Sequence, residues 1–304
     1  MKILVTGGAG FIGSHVVDAY IKAGHEVVVI DNLSNGVKEN INPKAKFYEM
    51  DIRDSKVEDV MKQHNFDIVN HHAAQINVRE SINNPREDYE INVDALMKLL
   101  GYCVKYNVKK FINISSGGAI YDVNGEMPLK ENAKKQPSTP YGLSKLSAEY
   151  YLNYTGEYHD LKFTTLRYAN IFGPRQNPEG EAGVISIFIS KMMADENIEI
   201  FGSGKQTRDF VYVKDVVQAN LLAIENADNE AVNIGTGKET SVNELFEKTA
   251  ELMNYSKEAE HIPEKKGDVM RNSLDVEKAK QVLKWEPKYG LEKGLRETIQ
   301  WFRK

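Results

Sequence analysis

The chain has 304 residues, 41% of them hydrophobic and 27% charged, with a formal net charge of −5. That length suits two domains, or one large domain carrying a smaller one, and the mild acidity argues against nucleic acid or an anionic membrane as partner. A single cysteine, Cys103, excludes a disulfide framework and any cysteine-based metal cluster, and it reads as a buried helical thiol.

In chain order, Met1–Val5 run directly into a strand, without the n-region and cleavage site of a signal peptide, and no apolar stretch approaches a membrane span. The expectation is a soluble cytoplasmic protein. The first half alternates β-branched runs with helical spacing. "KILVTG", "EVVVID", "KFYEMD", "DIVNHHAA", "FINISS" and "LKFTTLRY" are predicted strands. "IGSHVVDAYIKAG", "VEDVMKQHN", "EDYEINVDALMKLLGYCVKYN" and "YGLSKLSAEYYLNYTGEYH" are predicted helices. Apolar strands linked by helices imply a parallel sheet covered on both faces. The expected class is α/β, a Rossmann-type doubly wound parallel sheet, with ligands at the carboxyl ends of its strands. Beyond Ile171 the rhythm changes. "FGPRQNPEGEAG" reads as a loop, and a helix is predicted near Val184 to Ala194. "IEIFGSG", "RDFVYV" and "AVNIG" read as short strands before a mostly helical tail.

"ILVTGGAGFIGSH" carries Gly7, Gly8, Gly10 and Gly13 between a strand and a helix, with a second strand ending in Asp31. In that context the glycines let the turn close and the backbone approach a pyrophosphate at the helix N-terminus. Asp31 would accept bonds from a ribose diol and repel the extra phosphate of NADP, so NAD is expected. Residues 1–170 would form the NAD-binding domain, with the chain returning to it near 211–236, and 171–304 a smaller mixed α/β substrate domain.

Tyr141 and Lys145 lie four residues apart, on one face of a predicted helix. A nearby ammonium and an oxidised nicotinamide would lower the phenol's pKa and make it a base toward a sugar hydroxyl. "FINISSGGAIYD" ends a strand in Ser115 and Ser116, hydroxyls at the expected site edge. His71 and His72 lack metal-ligand spacing and read as satisfied strand-end residues, with no metal expected.

The chain resembles the extended short-chain dehydrogenases, and within them nucleotide-sugar epimerases of the UDP-glucose 4-epimerase type. The resemblance rests on "TGGAGFIG", "DNLSNG", "MDIRD", "HHAAQ", "YGLSK", "LRYANIFGPRQ", "TRDFVYVKD" and "NIGTG", and covers essentially the whole chain. It implies that Gly7, Gly10, Phe11, Ile12 and Gly13 hold tightly bound NAD at its phosphates. Asp31, Asn32, Ser34, Asn35 and Gly36 would take the adenosine ribose, and Asp51 and Ile52 the adenine. Ala73, Ala74 and Gln75 would line the cofactor's middle with Asn92, while Ser115, Tyr141, Lys145 and Tyr168 complete its site.

On the substrate side the resemblance implies a UDP-sugar. Asn170 and Arg208 would meet the diphosphate and Ile200 and Phe201 the uracil, with Gln75, Ser116, Tyr141 and Val184 also expected at the substrate. "EKKGDVMRNSLD" departs from the family pattern: Lys265 stands where an arginine is usual, and Arg271 is displaced by one place. Lys265, Asp268 and Arg271 are all candidates here, and Asn272 matches a gate whose modest size suggests tolerance for N-acetylated hexoses. Dehydratases and decarboxylases of the group carry acids where this chain has Gly118 and Ala119. What remains is oxidation at C4, rotation of the 4-keto sugar and hydride return, that is, epimerisation. The usual catalytic hydroxyl is replaced by Gly117, which leaves Ser116 as its nearest substitute behind Tyr141 and Lys145. An NAD-linked 4-keto-sugar reductase or oxidase, a UDP-glucuronate 4-epimerase and a non-catalytic nucleotide-binding regulator stay as alternatives. The family also implies a homodimer through the helices containing Asn92–Tyr106 and Tyr141–Tyr154.

Overall fold

The computed structural model describes residues 1–122, 124–179, 183–264 and 269–304. Its first half contains strands β1 (Lys2–Thr6), β2 (Glu26–Asp31), β3 (Lys46–Glu49), β4 (Ile68–His71), β5 (Lys110–Ser116) and β6 (Lys162–Tyr168). Between them run helices α1 (Phe11–Lys22), α2 (Val57–His64), α3 (Val78–Asn83), α4 (Pro85–Tyr89), α5 (Ala95–Lys105) and α6 (Pro140–His159). The second half adds β7 (Asn170–Phe172), α7 (Val184–Met193), β8 (Glu199–Phe201), β9 (Thr207–Arg208), β10 (Phe210–Tyr212), α8 (Val213–Ala223) and β11 (Glu230–Ile234). It closes with β12 (Thr240–Ser241), α9 (Val242–Met253), β13 (Glu260–Ile262) and α10 (Leu291–Phe302).

The main sheet has seven strands in the order β11-β6-β5-β4-β1-β2-β3, and every pairing in it is parallel. Ile3 pairs with Val27 on one side and Ile68 on the other, so β1 is where the strand order reverses. A crevice opens there, outside the carboxyl ends of β1 and β4. One face of the sheet packs on Val16, Val17 and Tyr20 of α1 and on Val216 and Ala219 of α8. The other packs on α2, α5 and α6 through Val60, Leu96, Leu99 and Leu152. A third core joins Phe172, Ile189, Ile200, Tyr212, Leu245 and Leu295. Among the described residues no helix is long and apolar enough to cross a membrane.

The single helix expected over "EDYEINVDALMKLLGYCVKYN" is broken. Helix α4 ends at Tyr89, a π-helical turn spans Glu90–Asp94, and α5 begins at Ala95. The wider turn admits one extra residue, and Asn92, which lies in it, is buried. The periodicity of apolar residues cannot reveal that insertion.

Helix α6 begins at Thr139, whose hydroxyl accepts the Gly142 N–H at 3.2 Å, with Pro140 in its first turn. At its middle, Glu149 meets Arg167 of β6 in a buried bidentate pair, Nε to Oε1 at 2.9 Å and Nη2 to Oε2 at 2.5 Å. Ser115 of β5 donates to the same carboxylate at 2.7 Å. Removing one member of such a pair strands the other in a dry interior. Glu149→Ala is expected to lower unfolding free energy by about 3–5 kcal/mol, measured by urea denaturation; a change under about 1 kcal/mol would show the pair to be solvent-screened.

Candidate active site

The turn after β1 is drawn together by backbone contact. Gly7 has φ +69°, and a Cβ there would stand 2.5 Å from the Ala73 nitrogen; one at Gly13 would stand 2.2 Å from the Gly7 oxygen. These are approaches that only glycine permits. A Cβ on Gly10 would meet only the Gly7 oxygen, at 3.3 Å, so its outer side is open to a ligand at the head of α1. Phe11 and Ile12 follow as partly buried residues, Phe11 against the third core and Ile12 against the first.

Asp31 is buried, and both its oxygens are used: Oδ2 accepts the Ala9 N–H at 2.9 Å and Oδ1 the Leu33 N–H at 2.8 Å. It braces the glycine turn while keeping lone pairs for a diol. Asn32, Ser34 and Asn35 form the exposed turn beyond it, and a Cβ on Gly36 would press on the Asp31 carboxylate at 2.8 Å. Asn32 donates to Asp51 at 2.9 Å, and Arg53 grips Asp51 through Nε and Nη2. That arginine bond, above all, holds the Asp51 carboxyl down at about 2. Ile52 lies beside it, so the expected adenosine contacts form one cluster.

At the end of β4, Thr6 Oγ1 meets His71 Nδ1 at 2.7 Å and accepts the Ala73 N–H at 3.2 Å. Burial pushes His71 down to about 3, so it is neutral and structural. Ala73 lies against the glycine turn at Gly7 with Ala74 next in the chain, and Gln75 turns aside. Its Nε2 donates to the Asn77 carbonyl at 2.9 Å and to Asp88 at 3.1 Å. Asn92 clamps the Gln75 backbone in both directions, accepting its N–H and donating to its carbonyl, each at 2.9 Å. The Gln75 and Asn92 side chains therefore shape the cofactor loop rather than reach outward from it.

The strand end settles which serine faces the site. Ser115 is buried against Glu149, so its hydroxyl, expected at the cofactor, is withdrawn into the ion-pair cluster. Tyr168, also expected at the cofactor, follows the neighbouring strand end. Its hydroxyl accepts from Asn220 at 2.7 Å, its carbonyl from Gly117 at 2.9 Å, and its side chain is core. Neighbours on a strand point to opposite faces, and Ser116 lies on the other side. There its hydroxyl stands beside the Tyr141 phenol, and its dipole favours the phenolate. Burial outweighs this and pushes Tyr141 up to about 12, with Asp88 adding to the rise.

Lys145 stands with Nζ 5.8 Å from the Tyr141 ring centre and donates to the Ile114 carbonyl at 3.0 Å. Burial brings it down to about 8 against the pull of Asp88. The phenol is thus a resting acid that needs a further positive charge to become a base. Helix α6 reaches this position because Gly142 lies against the Ala119 carbonyl, where a Cβ would come within 2.4 Å. Gly117 likewise touches Leu274, whose Cδ1 would lie 2.5 Å from a Cβ. A fully buried leucine fills the room that a side chain at 117 would need.

A cavity of about 330 Å³ adjoins this edge and is lined by Asn170, Val184, Ile200, Phe201 and Arg208. Phe201 is an exposed aromatic on its rim, while the Ile200 side chain mostly feeds the core. Gln176 and Gln206, which sequence reasoning missed, also line it. Their polar side chains sit in loop segments that carry no periodic signal. Arg208 donates to the carbonyls of Thr207 and Val269 at 2.8 and 2.5 Å. Arg271 is not among the lining residues. Glu239 takes its Nε and Nη2 at 3.0 and 2.5 Å, so the expected phosphate contact is instead an exposed ion pair. Lys265 and Asp268 lie outside the described residues. Asn272 is buried beside Gly117, with Nδ2 3.5 Å from its carbonyl and Oδ1 without a hydrogen-bond partner.

Residues 3–235 match the family model described as the NAD dependent epimerase/dehydratase family. The chain belongs to that family. A protein of Methanocaldococcus jannaschii named putative UDP-glucose 4-epimerase is 47% identical over 99% of this chain and 98% of its own. The crystal structure of the Thermotoga maritima UDP-glucose 4-epimerase with UDP-glucose is 50% identical, with a TM-score of 0.98, covering 100% of this chain and 99% of that one. The UDP-N-acetylglucosamine 4-epimerase of Methanobrevibacter ruminantium, in complex with UDP-N-acetylmuramic acid, is 38% identical with a TM-score of 0.95, covering 99% and 98%. This epimerase/dehydratase chain also fits NAD on its own geometry. The side-chain-free cradle at Gly7, Gly10 and Gly13 leaves a helix N-terminus open, with Asp31 buried beside it.

The Gly117–Leu274 contact yields a prediction. Gly117→Ser, which restores the usual hydroxyl position, is expected to destabilise the fold by about 1–3 kcal/mol through overpacking. Unchanged thermal stability would show that Leu274 yields freely.

Proposed function

We propose that this chain catalyses the NAD-dependent 4-epimerisation of a UDP-hexose, with Tyr141 as acid and base. The observation that carries the reading is a half-buried Tyr141–Lys145 pair on one face of α6, with Lys145 Nζ 5.8 Å from the Tyr141 ring centre and Ser116 beside the phenol, at the crevice where the strand order reverses. It is supported by Gly118 and Ala119, which offer no acid for dehydration or decarboxylation, and by the names of the relatives.

In this reading the glycine turn and α1 hold the pyrophosphate, Asp31 the adenosine ribose, and Lys145 the second ribose through donors left over from Ile114. Bound NAD supplies the two-electron acceptor that takes hydrogen from C4 and returns it to the opposite face. Tyr141 withdraws the O4 proton, once a neighbouring positive charge has brought its pKa down from about 12, and later gives it back. Ser116 relays or steadies that proton. Asn170 and Arg208 hold the diphosphate and Phe201 the base, so the sugar alone turns over.

Residues 1–170, with the return near 211–236, act as the NAD-binding domain and residues 171–304 as the sugar-nucleotide domain. A homodimer is supported by the exposed Leu143, Tyr150, Tyr154 and Tyr158 along α6 with Met97 of α5. A cytoplasmic setting accords with the free, buried Cys103.

The test is conversion of UDP-glucose to UDP-galactose by purified protein with no added cofactor; conversion only with added NAD(H) and net redox change would favour the reductase or oxidase reading. In the same assay Tyr141→Phe is expected to abolish nearly all turnover while NAD stays bound, and near-normal turnover would refute the assignment. Ser116→Ala is expected to slow turnover roughly tenfold, about 1.4 kcal/mol in the barrier; an unaltered rate would leave Tyr141 and Lys145 acting without it. UDP-GlcNAc is expected to be accepted as well, given the modest Asn272, and turnover at blank level beside active UDP-galactose would exclude it.

A further inference from the structure

We propose that Asp88, which the proton chemistry does not use, is the positioning residue that holds the Tyr141–Lys145 face of α6 against the cofactor loop. The inference rests on the assignment of Tyr141 and Lys145 made above. Asp88 is fully buried near the end of α4. Its Oδ2 accepts the Ser144 hydroxyl at 2.5 Å, and Ser144 precedes Lys145 on α6. Its Oδ1 accepts Gln75 Nε2 at 3.1 Å and Asn92 Nδ2 at 3.0 Å, and Asn92 in turn clamps the Gln75 backbone. One carboxylate thus ties the catalytic helix, the π-helical turn and the loop after β4.

Three neutral donors satisfy its oxygens but leave a net charge in a dry site, which is costly without a counter-charge. The field of Asp88 reaches the catalytic face: it favours the Lys145 ammonium against burial and resists ionisation of Tyr141. The other groups facing the pair are Ser116 from β5, His71 from the end of β4 and His72 just beyond it, both pressed neutral by burial, and Ser81 from α3, whose hydroxyl accepts the Tyr141 N–H at 3.2 Å. Asp88 is therefore the one carboxylate among the groups named here, and its position fixes both geometry and charge.

An amide at this position keeps the shape, with its oxygen on Gln75 and Asn92 and its nitrogen on a rotated Ser144 hydroxyl. A purely structural Asp88 would tolerate that change. Asp88→Asn is expected to retain NAD and an unchanged KM, to lose roughly tenfold in kcat, and to shift the pH profile of kcat down by about half a unit or more. The sign follows from removing a negative charge, which lowers the pKa of both Tyr141 and Lys145. Ser144→Ala breaks the tether but keeps the charge, so kcat is expected to fall about threefold or more with the profile unmoved. An Asp88→Asn enzyme whose kcat and profile superimpose on the parent would overturn the proposal, as would parallel loss of NAD and turnover. Should Asp88→Asn not fold, Ser144→Ala decides alone, an unchanged kcat overturning it. Tyr141→Phe run alongside separates the levels. Normal turnover there refutes the base assignment itself, whereas an inactive Tyr141→Phe with indifferent Asp88 and Ser144 variants refutes only the role of Asp88.

Discussion

The close approach of backbone to backbone around Gly7 is the constraint on which the rest of the site depends. With no side chain at Gly7 or Gly13, the β1–α1 turn folds on itself and lies against the start of the loop after β4. That brings a helix N-terminus, Asp31 and the Ala73–Gln75 loop to one crevice. The order of strands creates the crevice, but the missing Cβ atoms set its depth. A sheet of the same topology with bulkier turn residues would still form, and would have no room for a pyrophosphate.

A second contact of the same kind completes the catalytic edge. Gly142 allows α6 to rest on the Ala119 carbonyl, so that Tyr141 stands over Ser116 while Lys145 reaches Ile114. The helix is anchored further along by Glu149 and Arg167. The polar groups in this region divide: Ser115 and Glu149 fix the helix, whereas Ser116 and Tyr141 lie on the face away from that cluster. Burial dominates the electrostatics of the pair, raising the phenol's pKa to about 12 and lowering the ammonium's to about 8.

Much of this was legible in the sequence. The alternation of apolar runs and helical spacing gives the parallel sheet, and the glycine turn with Asp31 marks its ligand edge. The Tyr141–Lys145 spacing puts both side chains on one face of α6. Less legible was how polar side chains divide between site and scaffold, because that depends on which way a strand or loop presents them. Ser115 and Ser116 are identical in composition and opposite in fate. Tyr168 and Arg271 carry suitable chemistry, but Asn220 and Glu239 claim them. Asp88 sits in "REDYEIN", where a carboxylate reads as one more surface charge, and only the π-helical turn explains the inward-facing partners that surround it. The hydroxyl missing at Gly117 was plain in the sequence, whereas its cause, Leu274 from a distant segment, was not.

The path of the chain has one more consequence. After its excursion through the third core, the chain re-enters the main sheet as β11, covering β6 along Thr164–Tyr168. Residues near its far end come back again, where Leu274 bridges Leu129 and packs on Gly117. The two halves are therefore interleaved rather than strung in series. No single cut yields two self-sufficient pieces, and a product ending after residue 170 would expose β6 as a bare, apolar edge. Bare edges recruit other strands. Sugar-nucleotide preference in such a scaffold is consequently remodelled side chain by side chain, because the segment that supplies it cannot be exchanged as a block.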